Sequence, residues 1–584
     1  MFSEEIRKSF LNFFKERGHS IVPASSLISD DPSVLFTTAG MQQFKKYYTG
    51  ELNALADFGS QRTTSIQKCF RTSDIESVGD ESHLTFFEML GSFSFGPVGS
   101  DEPSDLKKSG YFKKSAIQWA FDYLNKELKI DFDRLSVTVF KGDNEVPFDE
   151  ESFKIVKELG FSDEKIARGD RKENFWGPTG EEGPCGPTVE FYIDGVEVWN
   201  LVFNEFYQEN SKLKRLENPG VDTGMGLERL LMTINKLDDV YQTDLLKPLM
   251  IKIKEICPQL DKKILRILTD HIRASIFLIS DGALPSNKEG GYVLRRLLRR
   301  LLAYQIKYNI QNNLFSESYE IIKNKYSAIY PEITNKKQIL DVFGEEESKY
   351  RKTFSRGLKE LEKYKSLSGQ EAFNLYQTFG LSPEIILEFA PPEAIKNFKL
   401  KDFEEEFKKH QEISRAGAEK KFGGHGIENI KNQESKIKMT KLHTATHLLQ
   451  WALREVFGKE IRQMGSDINP ERLRFDFNFD RKLTAEEIKR IEDLVNQKIQ
   501  EELPVFFKEM PKEEAEKIGA LSFFKQKYGE VVRVYFIGPE ENPVSKEFCA
   551  GPHVENTSEI GKFKILKEEG LSRGIRRIRA TIFN

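Results

Sequence analysis

The chain has 584 residues, 39% hydrophobic and 31% charged, with a formal net charge of −4; a length of this kind holds roughly three to five domains, and the near balance of charge leaves any nucleic-acid partner to local basic patches. No apolar run approaches the roughly 18 residues of a membrane span, and the charged start, MFSEEIRKSF, lacks the core of a secretion signal. Four scattered cysteines (Cys69, Cys185, Cys257, Cys549) make no disulfide framework, so reduced thiols, a cytoplasmic setting and no membrane partner are expected.

Residues 3–17 have a helical period, with an Ile6/Phe10/Phe13/Phe14 face, Ser3 as cap and Gly18 as stop. Thr37 to Met41 form a small-residue turn between a short apolar strand and a helix. Residues 61–96 read as two strands joined by a polar loop, with Arg71 ending the first and Phe86-Phe87-Glu88-Met89 opening the second. Arg71 and Asp74 could clamp a phosphate and its neighbour there, although a surface salt bridge is the commoner use of such a pair. Residues 188–193 and 197–207 form a further strand pair, after which VDTGMGLERLL switches to helical spacing. A turn punctuated by Gly224 and Gly226 would let backbone approach a ligand, while the helix N-terminus and Arg229 would suit a phosphate. Glycines that only pack a helix against a sheet are an equal reading of this stretch. The absence of GxxxxGK[ST] excludes a P-loop.

Residues 246–425 turn helical. Arg295, Arg296, Arg299 and Arg300 recur at i, i+1, i+4 and i+5 and share one helix face, ordinarily a solvated one. A Lys/Glu-rich run with Gly423-Gly424 marks a boundary, and His425 there receives no role. In KLHTATHLLQWALREVF, His443 and His447 lie four apart on a helix, and FCAGPHV offers Cys549 and His553 with the same gap. The two pairs form a His₃Cys set suited to tetrahedral Zn²⁺ rather than a merely structural cluster. There is no HExxH, so a metalloprotease glutamate is missing. Between the pairs, RLRFDFNF, a helix capped by Thr484 with Glu487, LPVFFKEM and VVRVYFIG give an α+β domain.

Together, RTTSIQKCFR with TFFEMLGSFSFG, the Asn174-Phe175-Trp176 run, EEGPCGPTVEFY, WNLVFNEF and VDTGMGLER resemble the catalytic domain of class II aminoacyl-tRNA synthetases, specifically of the alanyl-tRNA synthetase family, over nearly all of residues 1–245. The resemblance implies an α+β multidomain chain. Residues 1–245 would form an antiparallel sheet with flanking helices, 246–425 a helical tRNA-recognition domain, 426–440 a linker and 441–584 a zinc-containing editing domain. The implied work is ligation of L-alanine to tRNA(Ala) through alanyl-adenylate, with ATP and Mg²⁺. Carried over by position, Arg71 holds the α-phosphate, Arg229 reaches the γ-phosphate and adenine side, and Asp222 takes the α-ammonium of alanine. Trp176, Val202 and Gly224 wall the methyl pocket, and Asp74, Phe87, Glu88, Met89 and Gly226 complete the ATP site.

In the same family an Asn in a PSN turn and a later Asp read the acceptor-stem G·U pair. Asn287 matches the first, while Gln377 stands at the second, where its carbonyl can still accept from guanine but the charge is gone. Beside a synthetase domain, the Arg295–Arg300 cluster is at least as apt for phosphates as for solvent. HTATHLL, Gln463 and CAGPH resemble the family's editing domain, and CAGPHVENT is also close to threonyl-tRNA synthetase. The implied editing hydrolyses seryl- or glycyl-tRNA(Ala), because a methyl pocket admits glycine and rejects an added hydroxyl only weakly. Zn²⁺ would orient the ester or a water, and Gln463 would line the pocket.

Departures from the family pattern set further expectations. The loop after Arg71 is short, and residues 97–110 look like an inserted surface loop. With 19 residues from Gly424 to His443, the family's β-barrel is expected to be absent; with Asn584 ending the chain, so are its coiled coil and C-terminal domain, and a monomer is expected. Residues 561–584 are basic and could grip RNA. Two other functions compete: a hydrolase acting only through the metal domain, and a non-catalytic RNA-binding protein. Retention of Arg71, Asp222 and Arg229 argues against the first.

Overall fold

The computed structural model describes residues 1–29, 31, 34–178, 182–210, 212–310, 314–419, 432–522, 530–572 and 575–583. His425 lies outside them. The chain divides into two compact units: Met1–Leu367 with Asn374–Phe398, and Ser368–Phe373 with Lys399–Asn584. The sheet and most of the helical segment expected as a separate domain therefore share one unit.

That unit is built on a nine-stranded sheet. Its strands are β1 (Ser20–Ile21), β2 (Arg62–Phe70), β3 (Phe86–Ser94), β4 (Leu135–Phe140), β5 (Ile166–Gly169), β6 (Phe175–Trp176), β7 (Gly183–Ile193), β8 (Val196–Glu209) and β9 (Lys212–Gly226). The order is β1-β2-β3-β9-β8-β7-β4-β5, with β6 against β7. The centre is antiparallel as expected, but β1–β2 and β4–β5 pair in parallel, so the sheet is mixed. The reason is that β1 and β5 each return to an edge through a crossover rather than a hairpin.

Helix α1 (Ser3–Lys15) covers one face of the sheet, where Phe10 and Phe14 meet Trp199 at ring separations of 5.7 and 6.2 Å. Ser3 is not its cap. Phe2 occupies that place and donates its N–H to Glu5 at 2.7 Å, while the Ser3 hydroxyl donates to Asp244 at 2.8 Å. The expected turn at Gly224–Gly226 is also absent: β9 runs through Gly226 and passes directly into α2 (Leu227–Ile234). Residues 97–110 are pinned rather than loose. The buried Arg62 donates to the carbonyls of Ser109 at 2.6 Å and Asp105 at 2.9 Å.

Helix α3 (Lys262–Ser280) packs against β3, and α4 (Glu289–Lys307) and α5 (Lys336–Leu361) pack against α3; α6 (Gly369–Phe379, whose first residues belong to the second unit) and α7 (Pro383–Phe389) follow in the chain. In the second unit α8 (Gln433–Phe457) begins inside the residues expected as a linker, because Asn432 caps it through the Ser435 N–H. Strands β10 (Gln463–Asn469), β11 (Arg472–Asn478), β15 (Lys562–Ser572) and β16 (Ile575–Phe583) form an antiparallel sheet ordered β10-β11-β16-β15. Strands β12 (Val505–Pro511), β13 (Val531–Ile537) and β14 (Ser545–Phe548) form a second. Helix α9 (Ala485–Gln500) starts at the Thr484–Glu487 capping box, and its Ile491 and Val495 join Leu449, Leu453, Phe475 and Ile578 in one core. Among the described residues no helix is long and apolar enough to cross a membrane.

Candidate active site and metal centre

Strand alternation and register build the larger site. Successive side chains point to opposite faces, and the register sets Met89 opposite Gly226, Asn200 opposite Gly224 and Val202 opposite Asp222. Phe87, Met89, Asp222, Gly224, Gly226, Asn200, Val202, Thr188 and Glu190 thereby share one face, which floors a cavity of about 440 Å³ with Arg71, Asp74, Trp176 and Arg229 around it. Glu88 is not among them. Alternation turns it to the opposite face, where it is fully buried, pairs with Arg7 (Nε to Oε1 at 2.9 Å) and accepts from the Tyr330 hydroxyl at 2.8 Å. Its expected place beside ATP is therefore corrected, since a carboxylate so engaged offers nothing to a ligand.

The electrostatics of this cavity are unfinished. Asp222 is buried, and no hydrogen-bond donor meets its carboxyl among the described residues; burial alone pushes its pKa up to about 7. Glu190 is also pushed to about 7 by burial, against donors Tyr192 at 2.7 Å and Asn200 at 2.8 Å. The cations sit at the rim. Arg71 lies over the Phe87 ring at 5.0 Å, and Arg229 donates to a Glu197 carboxylate oxygen at 3.3 Å. The surface salt bridge weighed for Arg71 and Asp74 does not form; Asp74 accepts from Ser73 at 2.8 Å instead. Gly224 matters because a side chain there would strike Met89: a Cβ would fall 2.8 Å from its sulfur. Glu190 and Asn200 belong to the cavity although no motif marks them. A glutamate inside the apolar run Val189-Glu190-Phe191 was the available signal.

In the second unit His443, His447, Cys549 and His553 come together, with one ligand atom of each lying within 4.8 Å of all the others. Helical spacing stacks the first two, and the turn after β14 returns the others. Two of the three imidazoles have Nδ1 hydrogen-bonded from behind, and the third has a carboxylate near it without a hydrogen bond. That of His443 donates to the Pro552 carbonyl at 3.0 Å, that of His553 meets the Thr444 hydroxyl at 3.1 Å, and that of His447 lies 3.2 Å from Glu547. This leaves the Nε2 atoms for the centre, and those of His443 and His553 stand 3.3 and 3.4 Å from Cys549 Sγ. Burial holds His447 and His553 neutral, pushes the Cys549 thiol up to about 12 and raises Glu547 to about 8. Three imidazole nitrogens and one sulfur, two of the rings held from behind by hydrogen bonds, fit a zinc ion, whose charge would make the thiol a thiolate. Gln463 donates to Ser466 at 3.0 Å, and no hydrogen bond joins it to the four donors.

Residues 5–467 match the family profile of tRNA synthetases class II (A), and residues 532–579 match the threonyl and alanyl tRNA synthetase second additional domain. The chain is 40% identical over 618 aligned positions to the alanine–tRNA ligase of Borrelia hermsii, covering 100% of each. The chain belongs to the alanine–tRNA ligase family. It is likewise 40% identical to the Treponema denticola enzyme of that name, covering 99% of this chain and 98% of the relative. Against the Dehalococcoides mccartyi enzyme it is 34% identical, covering 99% and 80%. The chain is thus an alanine-specific tRNA ligase whose substrates are ATP, alanine and tRNA, which sets aside the reading as a non-catalytic RNA-binding protein.

On the helical side of the ligase, Asn287 and Gln377 are both exposed. The arginine face expected on α4 to meet solvent or phosphates is corrected, because each of its four guanidiniums is engaged by a carboxylate. Arg295 and Arg299 meet Glu346 at 3.3 and 2.8 Å, Arg296 pairs with Glu384, and the buried Arg300 meets Glu388 at 2.6 Å.

Proposed function

We propose that the cavity on β3, β9, β8 and β7 is where alanine and ATP become alanyl-adenylate. The observation that carries this is Asp222, a buried carboxyl that meets no donor among the described residues, in a cavity that Arg71 and Arg229 also line. An α-ammonium supplies the missing partner and returns the carboxyl to its charged form. Arg71 and Arg229 then bind opposite ends of the triphosphate, with Mg²⁺ accompanying it, so that the amino-acid carboxylate is held in line with the α-phosphate. Asp74, Phe87, Met89 and Gly226 line the nucleotide side, and Trp176, Val202 and Gly224 bound the space for the methyl group. Asn287 and Gln377 face the acceptor stem of tRNA(Ala).

The His₃Cys cluster holds Zn²⁺ and serves the hydrolysis of seryl- and glycyl-tRNA(Ala). The engaged Nδ1 atoms and the second additional domain of residues 532–579 support this. When bound, the ion supplies Lewis acidity toward an ester or a water. His443, His447, His553 and Cys549 hold it, and Thr444, Pro552 and Glu547 fix the rings. Pyrophosphate exchange is expected with alanine and ATP, and seryl-tRNA(Ala) is expected to be deacylated. Cys549→Ala should lose both the bound zinc and the deacylation while keeping exchange. Unchanged zinc content in that variant would remove the ligand assignment, and absence of exchange with alanine in folded protein would remove the cavity assignment.

A further inference from the structure

The four arginines of α4 form two pairs that face different neighbours. Arg295 and Arg299 hold the recognition side. Arg295 engages the Asn287 side chain and donates to the Pro285 carbonyl at 3.1 Å, while Arg299 lies over the Tyr350 ring at 4.7 Å. On the same helix Tyr292 accepts from Tyr376, the neighbour of Gln377, at 3.3 Å. Arg296 and Arg300 turn instead to the loop that follows Arg71. Arg296 reaches Glu76 of that loop at 3.1 Å and Glu384 of α7. Arg300 reaches the Ile75 carbonyl at 3.2 Å and Glu388 of α7 at 2.6 Å.

From Arg300 the contacts continue to the active site. Its Nη1 meets His271 Nε2 at 3.3 Å, and His271 Nδ1 meets Asp270 at 2.9 Å. Asp270 accepts the Thr85 N–H at 2.8 Å and hydroxyl at 2.6 Å, and the Thr85 carbonyl accepts the backbone N–H of Arg71 at 2.9 Å. Thr85, Asp270 and His271 are fully buried and Arg300 is 4% exposed. A polar chain this deep is costly to leave half-made, because any parting strands a buried charge. Hydrogen bonds and ion pairs thereby tie the loop of residues 72–85, α4 and α7 to Asn287 and to α6 beside Gln377.

We propose that α4 is the rigid link through which seating of the tRNA acceptor end fixes the loop of residues 72–85 for acyl transfer, with Arg296 and Arg300 as positioning residues rather than phosphate contacts. The proposal rests on the reading that Asn287 and Gln377 face the acceptor stem. It is tested in the full chain with Arg296→Gln and Glu384→Gln, alone and combined, since this pair is less buried than Arg300. Transfer of alanine from preformed adenylate to tRNA(Ala) is expected to slow about tenfold, the scale of a typical coupling between sites. The KM for tRNA, the melting temperature and tRNA-free pyrophosphate exchange should change by less than about twofold or a few degrees on that scale, and the double variant should be no slower than the worse single one. Amide hydrogen exchange of residues 72–85 should be slowed by tRNA in the parent and not in the variants.

A higher KM with unchanged transfer rate would restore the phosphate-contact role and overturn the link. So would parallel loss of melting temperature and both activities, additive losses in the double variant, or tRNA protection of residues 72–85 that survives in the variants. The underlying recognition reading fails by a different result, namely unimpaired tRNA use by Asn287→Ala combined with Gln377→Ala.

Discussion

The β-sheet cavity and the His₃Cys cluster are both buried clusters of ionisable groups, yet they are finished to different degrees. In the cluster two imidazoles already have hydrogen-bonded outer partners, the third has the Glu547 carboxylate 3.2 Å away, and one ligand atom of each residue lies within 4.8 Å of the others. In the cavity no hydrogen-bond donor meets Asp222 among the described residues, and the guanidiniums wait at the rim on Phe87 and Glu197. The contrast separates a preformed donor set from a site left open. On the functions proposed above, a centre that keeps an ion would be largely completed by the protein, whereas a site that takes up and releases substrate would leave its charge for the substrate to balance.

The strongest way to break this comparison is Asp222→Asn. Removing one partner of a buried charge pair costs about 3–5 kcal/mol, on the order of a 10²–10⁴-fold loss. Alanine-dependent pyrophosphate exchange should fall by that factor while zinc content stays unchanged. The same variant should melt higher than the parent at pH 8 without ligand. A carboxyl raised in the folded state to about 7 contributes stability that is present below its unfolded value and lost as pH rises through about 7. A lower melting temperature at pH 8 would mean that Asp222 has a partner in the free protein.

Glu547→Gln probes the opposite site. Outer partners of metal ligands are worth roughly 10–100-fold in metal affinity, so zinc should be lost to a competing chelator at correspondingly lower chelator concentration, with exchange intact. Equal zinc retention would detach Glu547 from His447. The smallest effect is graded. Because Asp222 must be ionised to receive an ammonium, the KM for alanine should rise about tenfold per unit as pH falls below about 7. A flat KM between pH 5.5 and 8 would contradict the burial of that group.

Much of both sites was legible along the chain, and the misses have distinct causes. The HxxxH spacing gave His443 and His447 one helix face, and the turn-borne Cys549 and His553 completed a donor set of unmistakable chemistry. Their outer partners Thr444, Pro552 and Glu547 carry no pattern, because a hydroxyl, a carbonyl and a carboxylate recruited by proximity could stand anywhere. Glu88 shows the complementary failure. Its motif placed it beside ATP, although alternation with Phe87 and Met89 already turned it to the other side of β3. The arginines of α4 were grouped by helical spacing, and spacing says nothing about which carboxylates arrive from α5 and α7 to meet them.

What the sequence alone determined is therefore local: strand and helix periods, the shared face of Phe87 and Met89, the stacked histidines, and the motif blocks that place the chain among alanine–tRNA ligases. What only the tertiary structure decided is charge state and partnership. Register set Val202 opposite Asp222, depth desolvated that carboxyl with no donor to meet it among the described residues, and packing of α4 between a loop and α7 turned an apparently solvated arginine face into internal ties. The physical reason is that periodicity is a property of neighbours in the chain, whereas desolvation and ion pairing depend on what the rest of the molecule brings to the same place.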